Sequence, residues 1–152
     1  MKKAQVLFVC FGNACRSQIA EGFAKVHGAE VMEAQSAGLA PLESVPSQTR
    51  KVMLERSAPI DGQYPKGVEV FRNTPFDLVI NMSGTMLPKG LKEKERRWNV
   101  ADPYGSNDGV FRQVRDDIEQ RVITLVAELK ANQGEIPAPA PPRRRLFGFG
   151  KS

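Results

Sequence analysis

Cys10 and Arg16 stand six positions apart in a segment that reads Val9-Cys10-Phe11-Gly12-Asn13-Ala14-Cys15-Arg16-Ser17. Taken singly these residues say little. A buried cysteine is most often inert packing, and a lone arginine is most often a solvated surface charge. Together they fit an oxyanion site. The amides of Phe11, Gly12, Asn13, Ala14, Cys15, Arg16 and Ser17 lie in a stretch short enough to turn inward on the oxygens of a phosphate monoester. A helix opening directly after the turn adds the positive end of its dipole. Gly12 and Asn13 accept the left-handed dihedrals that such a turn needs. Arg16 brings a planar, permanently charged fork that can grip two oxygens at once. Cys10 falls under this cradle, where amides and guanidinium together favour a thiolate nucleophile, and Ser17 can donate its hydroxyl proton to that sulfur. Cys15 is close enough to pair with Cys10 in a reversible disulfide that guards the nucleophile against over-oxidation.

Ester cleavage also needs a proton for the departing oxygen, a service worth typically about 10²–10⁴-fold in rate. Asp102 is the candidate. On its own Asp102-Pro103-Tyr104-Gly105 reads as a plain turn, but beside the 10–17 loop it reads as an acid whose backbone Pro103 holds extended. Tyr104 and Phe11 are candidate walls of a substrate slot. His27, beside Gly28, reads as a surface or capping residue. Asp108, Asp116 and Asp117 read as the solvated face of a helix rather than metal ligands. The chemistry so far calls for no metal and no cofactor.

These residues need elements to position them. Residues 5–10 are a continuous apolar run, the pattern of a strand covered on both faces. Ser17 is placed to cap a helix with apolar positions Ile19, Ala20, Phe23 and Val26 that ends near Gly28. A short strand is expected over residues 30–36, and a helix entered at Pro46 runs through Val52, Met53 and Arg56 to stop before Pro59. Residues 59–75 are mostly loop, with a weak helix or strand at 68–72. Strands are expected at 77–82 and 96–100. Phe111, Val114, Ile118, Val122, Leu125 and Leu129 step by three or four along an amphipathic helix over about 107–131. Strands alternating with helices predict an α/β fold with a parallel sheet, which binds ligands beyond the carboxyl ends of its strands.

At 152 residues, 41% hydrophobic and 26% charged, the chain is globular, and collagen-like or wholly disordered classes are excluded. Two cysteines this close make no disulfide framework. No apolar run approaches the roughly 18 residues needed to span a bilayer, and no cleavage site follows the short apolar start, so a soluble cytoplasmic protein is expected. The net charge of +5 is unevenly placed: residues 1–132 carry 18 basic and 16 acidic side chains, whereas 133–152 carry four basic and one acidic. A near-neutral body argues against nucleic acid as a partner. The expected division is a catalytic domain over 1–132 and a flexible tail over 133–152. Pro137, Pro139, Pro141 and Pro142 precede Arg143, Arg144 and Arg145 in that tail. The tail reads first as a solubilising extension and second as a docking segment for a partner.

The stretch Val6-Leu7-Phe8-Val9-Cys10-Phe11-Gly12-Asn13-Ala14-Cys15-Arg16-Ser17, with Ala20-Glu21, Ser36-Ala37-Gly38, Phe76-Asp77-Leu78-Val79 and Asp102-Pro103-Tyr104, resembles the low-molecular-weight protein tyrosine phosphatases. It also resembles the arsenate reductases of the same fold. The resemblance covers about residues 4–131. It implies a three-layer α/β/α architecture with a four-stranded parallel sheet and a phosphatase-type P-loop after the first strand. It further implies a metal-free phosphocysteine mechanism with Cys10 as nucleophile, Arg16 as phosphate clamp and Asp102 as general acid, and with Asn13 and Ser36 as a pair holding the loop. The leading expectation is therefore a phosphomonoester hydrolase of the protein tyrosine phosphatase type, acting on a phosphorylated protein or a small phosphomonoester.

Two departures open alternatives. Gln18 stands where the phosphatases commonly carry proline, and Arg16-Ser17-Gln18-Ile19-Ala20-Glu21-Gly22 looks more like the reductases, for which arsenate would occupy the phosphate cradle. Thioredoxin-coupled reductases relay oxidation through two more cysteines after the third strand, and residues 81–87 hold none. A reductase here would need an external small thiol. The third reading is a non-catalytic module that binds phosphate or senses oxidants through Cys10 and Cys15. The presence of both Cys10 and Asp102 speaks against it.

Overall fold

A strand that is apolar on both sides has to be covered twice, and that requirement organises the whole molecule. In a computed structural model, which describes residues 2–137, this strand is β1 (Ala4–Cys10). It is followed by α1 (Arg16–His27), β2 (Met32–Gly38), α2 (Ser47–Leu54), β3 (Leu78–Asn81), β4 (Glu95–Arg97) and α3 (Asp108–Ala131), with single 3₁₀ turns at Val68–Phe71 and Lys92–Lys94. All strand pairs are parallel, in the order β2-β1-β3-β4. The chain leaves β1 to one side for β2 and returns to the other side for β3. Strand order thus reverses at β1, and the crevice this creates lies at the carboxyl end where Cys10 terminates the strand.

On one face of the sheet Val6, Phe8 and Ile80 pack against Ile19 and Phe23 of α1 and Ile118, Val122 and Leu125 of α3. On the other face Leu7, Val9 and Val79 meet Val68, Phe71, Phe76, Leu87 and Leu91. The three layers expected from the sequence are present, but the third is built from loop segments and a 3₁₀ turn rather than a long helix. Residues 59–75 lack a helical apolar stripe and cover the sheet with separate anchors, Phe71 stacking edge-on against Phe76.

Several boundaries move for identifiable reasons. β2 is displaced to Met32–Gly38 because the ladder with β1 continues to the pair Cys10–Gly38. β4 is shorter than expected: after Trp98 donates its N–H to the Asn81 carbonyl at 3.0 Å, the chain turns away, and Val100 instead offers its carbonyl to Arg16. Val26 is 51% exposed, so the buried stripe of α1 ends at Phe23 and Ala24. α3 is capped by Asn107, whose side chain accepts the Val110 N–H at 3.0 Å, a bond worth about 1 kcal/mol to the helix. Asp108, Asp116 and Asp117 pair with Lys51, Arg115 and Arg121. Among the described residues no helix is long and apolar enough to cross a membrane. The Pro/Arg-rich part of the tail lies outside the described residues.

Candidate active site

The loop from Cys10 to α1 is shaped by what happens to its carbonyls. Those of Cys10, Phe11 and Gly12 accept the N–H groups of Leu39, Ala40 and Leu42 at 3.2, 2.8 and 3.0 Å. The Asn13 carbonyl accepts the Gln18 side-chain amide at 2.9 Å, and the Ala14 carbonyl accepts the Thr49 hydroxyl at 3.2 Å. The Cys15 carbonyl accepts the Ile19 N–H at 2.9 Å. Every carbonyl from 10 to 15 is thus drawn outward by a donor from outside the loop. Among the described residues, no N–H of residues 11–17 donates to a protein acceptor. A peptide plane that sends its carbonyl one way sends its N–H the other, so the loop presents a row of free donors, which is what an oxyanion requires.

Two backbone positions make the turn possible. Asn13 has φ of +49°, a left-handed conformation that asparagine tolerates better than most residues. Gly38, at the end of β2, lies so close beneath the loop that a Cβ there would stand 2.7 Å from both the Asn13 nitrogen and the Phe11 oxygen. Nothing larger than glycine fits without moving the loop.

The side chain of Asn13 then sets the environment of the sulfur. Its Oδ1 accepts the Lys66 N–H at 2.9 Å, which fixes the amide orientation and aims Nδ2 at the Ser17 hydroxyl oxygen, 2.7 Å away. Ser17 Oγ, already accepting from Asn13, lies 2.9 Å from Cys10 Sγ and can turn its own proton onto a thiolate there. Ser17 was expected to cap α1. It lies inside the helix instead, the cap position falls on Cys15 with no side-chain bond, and the hydroxyl serves the sulfur.

Arg16 is buried, and its guanidinium is held before any ligand arrives. Nη1 donates to the carbonyls of Met82 at 2.5 Å and Val100 at 3.2 Å, just beyond β3 and β4. Nη2 lies 3.6 Å from Asp102 Oδ2, and Nε is buried with no partner among the described residues. An orphaned guanidinium N–H in an otherwise satisfied interior marks where a further acceptor belongs. Asp102 is half exposed, with a side-chain exposure of 52%, and its Oδ1 accepts the Tyr104 N–H at 3.1 Å in a tight turn. A cavity of about 230 Å³ is lined by Cys10, Gly12, Ala14, Arg16 and Asp102, with Phe11, Leu42 and Tyr104 at its rim. Phe11 and Tyr104 are each more than half exposed. A larger, shallower concavity near Lys2, Lys130 and Glu135 lies at the opposite end of β1 and holds no nucleophile.

Cys15 differs sharply from Cys10. Both are free thiols, but burial pushes the Cys15 thiol up to about 12, opposed only in part by the Thr49 hydroxyl 3.6 Å away. It remains a neutral thiol across the physiological range.

The structure thus gathers Cys10, Phe11, Gly12, Ala14, Cys15, Arg16, Asp102 and Tyr104 around one cavity, while Asn13 and Ser17 are buried and do not line it. Ser36 does not join them. It was expected to pair with Asn13, but it lies level with Phe8, two residues short of Cys10 in the ladder. There its hydroxyl donates to the buried Glu21 carboxylate of α1 at 2.5 Å. Asn13 is held from the other side, by Lys66 and Gln18. Sequence reasoning also missed the roles of Gln63 and Thr49. Neither has a local signal, because both act on the loop from more than 30 residues away.

Comparison with known proteins places these features in context. A family model described as low molecular weight phosphotyrosine protein phosphatase matches residues 5–135. A curated relative named glutaredoxin arsenate reductase, from Synechocystis sp., is 38% identical, covering 85% of this chain and 99% of that protein. An arsenate reductase from Halalkalibacterium halodurans is 33% identical over 82% of this chain and 96% of its own length. Among solved structures, one described as an arsenate reductase in the phosphate binding state superposes with a TM-score of 0.77 at 37% identity. That alignment covers 83% of this chain and 98% of that one.

Proposed function

The chain belongs to the low molecular weight phosphotyrosine protein phosphatase family, and we propose that within it this protein is an arsenate reductase that draws its electrons from an external small thiol. The observation that carries the reading is the naming of its similar relatives, among them the two reductases at 38% and 33% identity. They favour reduction over the ester hydrolysis that the sequence led us to expect first.

Arsenate has the shape and charge of phosphate and would sit on the free amides of residues 11–17 with Arg16 Nε directed at one oxygen. The Cys10 thiolate attacks arsenic, an As–OH bond breaks, and the departing hydroxide takes a proton from Asp102 to leave as water. An external thiolate then attacks Cys10 Sγ. The new S–S bond forms, the S–As electron pair passes to arsenic, and arsenite departs. A second external thiol frees Cys10, so two thiols are oxidised for each arsenic reduced from the pentavalent to the trivalent state. Cys15, held neutral, is a poor internal attacker, and the sequence contains no third cysteine. Both points support an outside source of electrons.

Hydrolysis of phosphate monoesters is the second reading, favoured by the exposed aromatic rim of Phe11 and Tyr104 beside Asp102. The two are separated by supplying arsenate with glutathione, with and without a glutaredoxin, alongside p-nitrophenyl phosphate without thiol. Arsenite formation that consumes two thiols and is abolished by Cys10→Ser is the expected result. Release of p-nitrophenol with no arsenite would transfer the assignment to the hydrolase. Binding of phosphate with neither reaction would leave a binding module.

A further inference from the structure

Gln18 is fully buried in the first turn of α1, an expensive place for a primary amide unless each of its polar groups is satisfied. They are. Nε2 donates to the carbonyls of Asn13 at 2.9 Å and Tyr64 at 3.1 Å, and Oε1 accepts Nε2 of Gln63 at 2.7 Å. Gln63 is itself buried, and its amide also lies 3.1 Å from the Gln18 carbonyl. The two glutamines form a closed clamp between the 10–17 loop and residues 60–64.

The bond to Asn13 matters most. The Asn13 carbonyl and the Ala14 N–H belong to one rigid peptide plane and point in opposite directions. Ala14 lines the cavity. Holding the Asn13 carbonyl outward therefore holds the Ala14 N–H inward, at a residue where the left-handed φ of Asn13 gives the backbone no help from a regular ladder. The neighbouring loop carbonyls are held by backbone amides, by the α1 helix itself, or by Thr49. Only this plane depends on the buried Gln18 side chain. Without it, a buried carbonyl is left unpaired, and rotating the plane to find another donor withdraws an amide from the cradle.

We propose that Gln18, oriented by Gln63, is a positioning residue for oxyanion capture: it fixes the peptide plane between Asn13 and Ala14 so that the Ala14 amide faces the bound anion. The clamp also ties Asn13, and through it Ser17 and the Cys10 sulfur, to residues 60–66. The proposal rests on the reading of residues 11–17 as an anion cradle but not on which reaction follows capture.

The test uses the full-length chain with inorganic phosphate as the probe, its binding measured by calorimetry and thermal stability measured in parallel. Gln18→Leu keeps the volume and removes every donor. Gln18→Glu keeps the shape but sets an acceptor against the Asn13 carbonyl. Gln63→Leu leaves Gln18 in place without its guide. The expected result for both Gln18 variants is phosphate affinity lower by about tenfold, the scale of one charge-assisted hydrogen bond. Gln63→Leu should show a smaller change in the same direction, and it keeps the test available should a Gln18 variant fail to fold. Variants that lose thermal stability but bind phosphate like the parent would reduce the clamp to a packing feature and overturn the proposal. Failure of the parent chain itself to bind phosphate would overturn the cradle reading, and this inference with it.

Discussion

Replacing Arg16 with lysine keeps a positive charge at the site and removes the fork, so it isolates what the guanidinium geometry contributes. Nη1 donates to the Met82 and Val100 carbonyls, Nη2 faces Asp102 at 3.6 Å, and Nε has no partner among the described residues. The donors left for an anion are therefore Nε and the remaining capacity of Nη2. A lysine ammonium cannot serve the two carbonyls and the anion with the same planar geometry. It forfeits at least one charge-assisted hydrogen bond to the ligand, worth about 1.5–3 kcal/mol, and phosphate binding should weaken by about ten- to a hundredfold. Leaving the Met82 carbonyl without its donor should also lower stability by about 1–3 kcal/mol. Calorimetric titration with phosphate reads the first effect, and chemical denaturation reads the second. An Arg16→Lys protein that binds phosphate within about twofold of the parent would refute the argument, because it would mean that charge alone, and not the orphaned Nε, captures the anion.

Gly38→Ala should damage the site without touching a reacting group: the added methyl meets the Asn13 nitrogen and the Phe11 oxygen at 2.7 Å. A stability loss of about 1–3 kcal/mol is expected from forcing backbone apart, together with a large fall in phosphate affinity, while a variant that binds phosphate like the parent would show that the loop has room to spare. Cys15 should leave a mark on alkaline stability. Its pKa rises on folding from the ordinary 9.0 to about 12, so the folded state favours the neutral thiol. Its contribution is complete below about pH 9 and is lost as pH climbs from there towards 12, where the unfolded chain ionises first. Unfolding titrations at pH 8, 9.5 and 11 should show this limb in the parent and a flatter one in Cys15→Ala, and equal slopes would count against a buried, neutral Cys15.

The parts of this fold that were legible in the sequence are those whose cause is local. The unbroken apolar run of β1, the three-or-four spacing from Phe111 to Leu129, and Asn13 in its turn each carry their own signal, whereas Gly12, expected to share the left-handed conformation, has no positive φ. That Cys10, Arg16 and Asp102 come together was also within reach, because the residues from Cys10 to Ser17 are contiguous and Asp102 precedes a proline. What escaped was everything decided at a distance. Ser36 reads as a partner for Asn13 until the ladder shows it level with Phe8 and facing Glu21. Val26 fits the helical stripe of α1 but falls past the region that α1 buries. Gln18 was visible only as a departure from a pattern, since its partners Gln63 and Tyr64 lie 45 and 46 residues away. The choice between reduction and hydrolysis was not legible, because both begin with the same thiolate and the same cradle.

The donors that turn the loop carbonyls outward come from the stretch after β2, from α1 and from α2, and Lys66 adds a further hold on Asn13 from beyond all three. No short fragment of this polypeptide contains the site in embryo. While the chain is still emerging or half assembled, nothing turns the amides of residues 11–17 toward a common centre. The row of inward amides is complete only with the last of these long-range ties, so the cradle is a property of the finished fold and of no part of it.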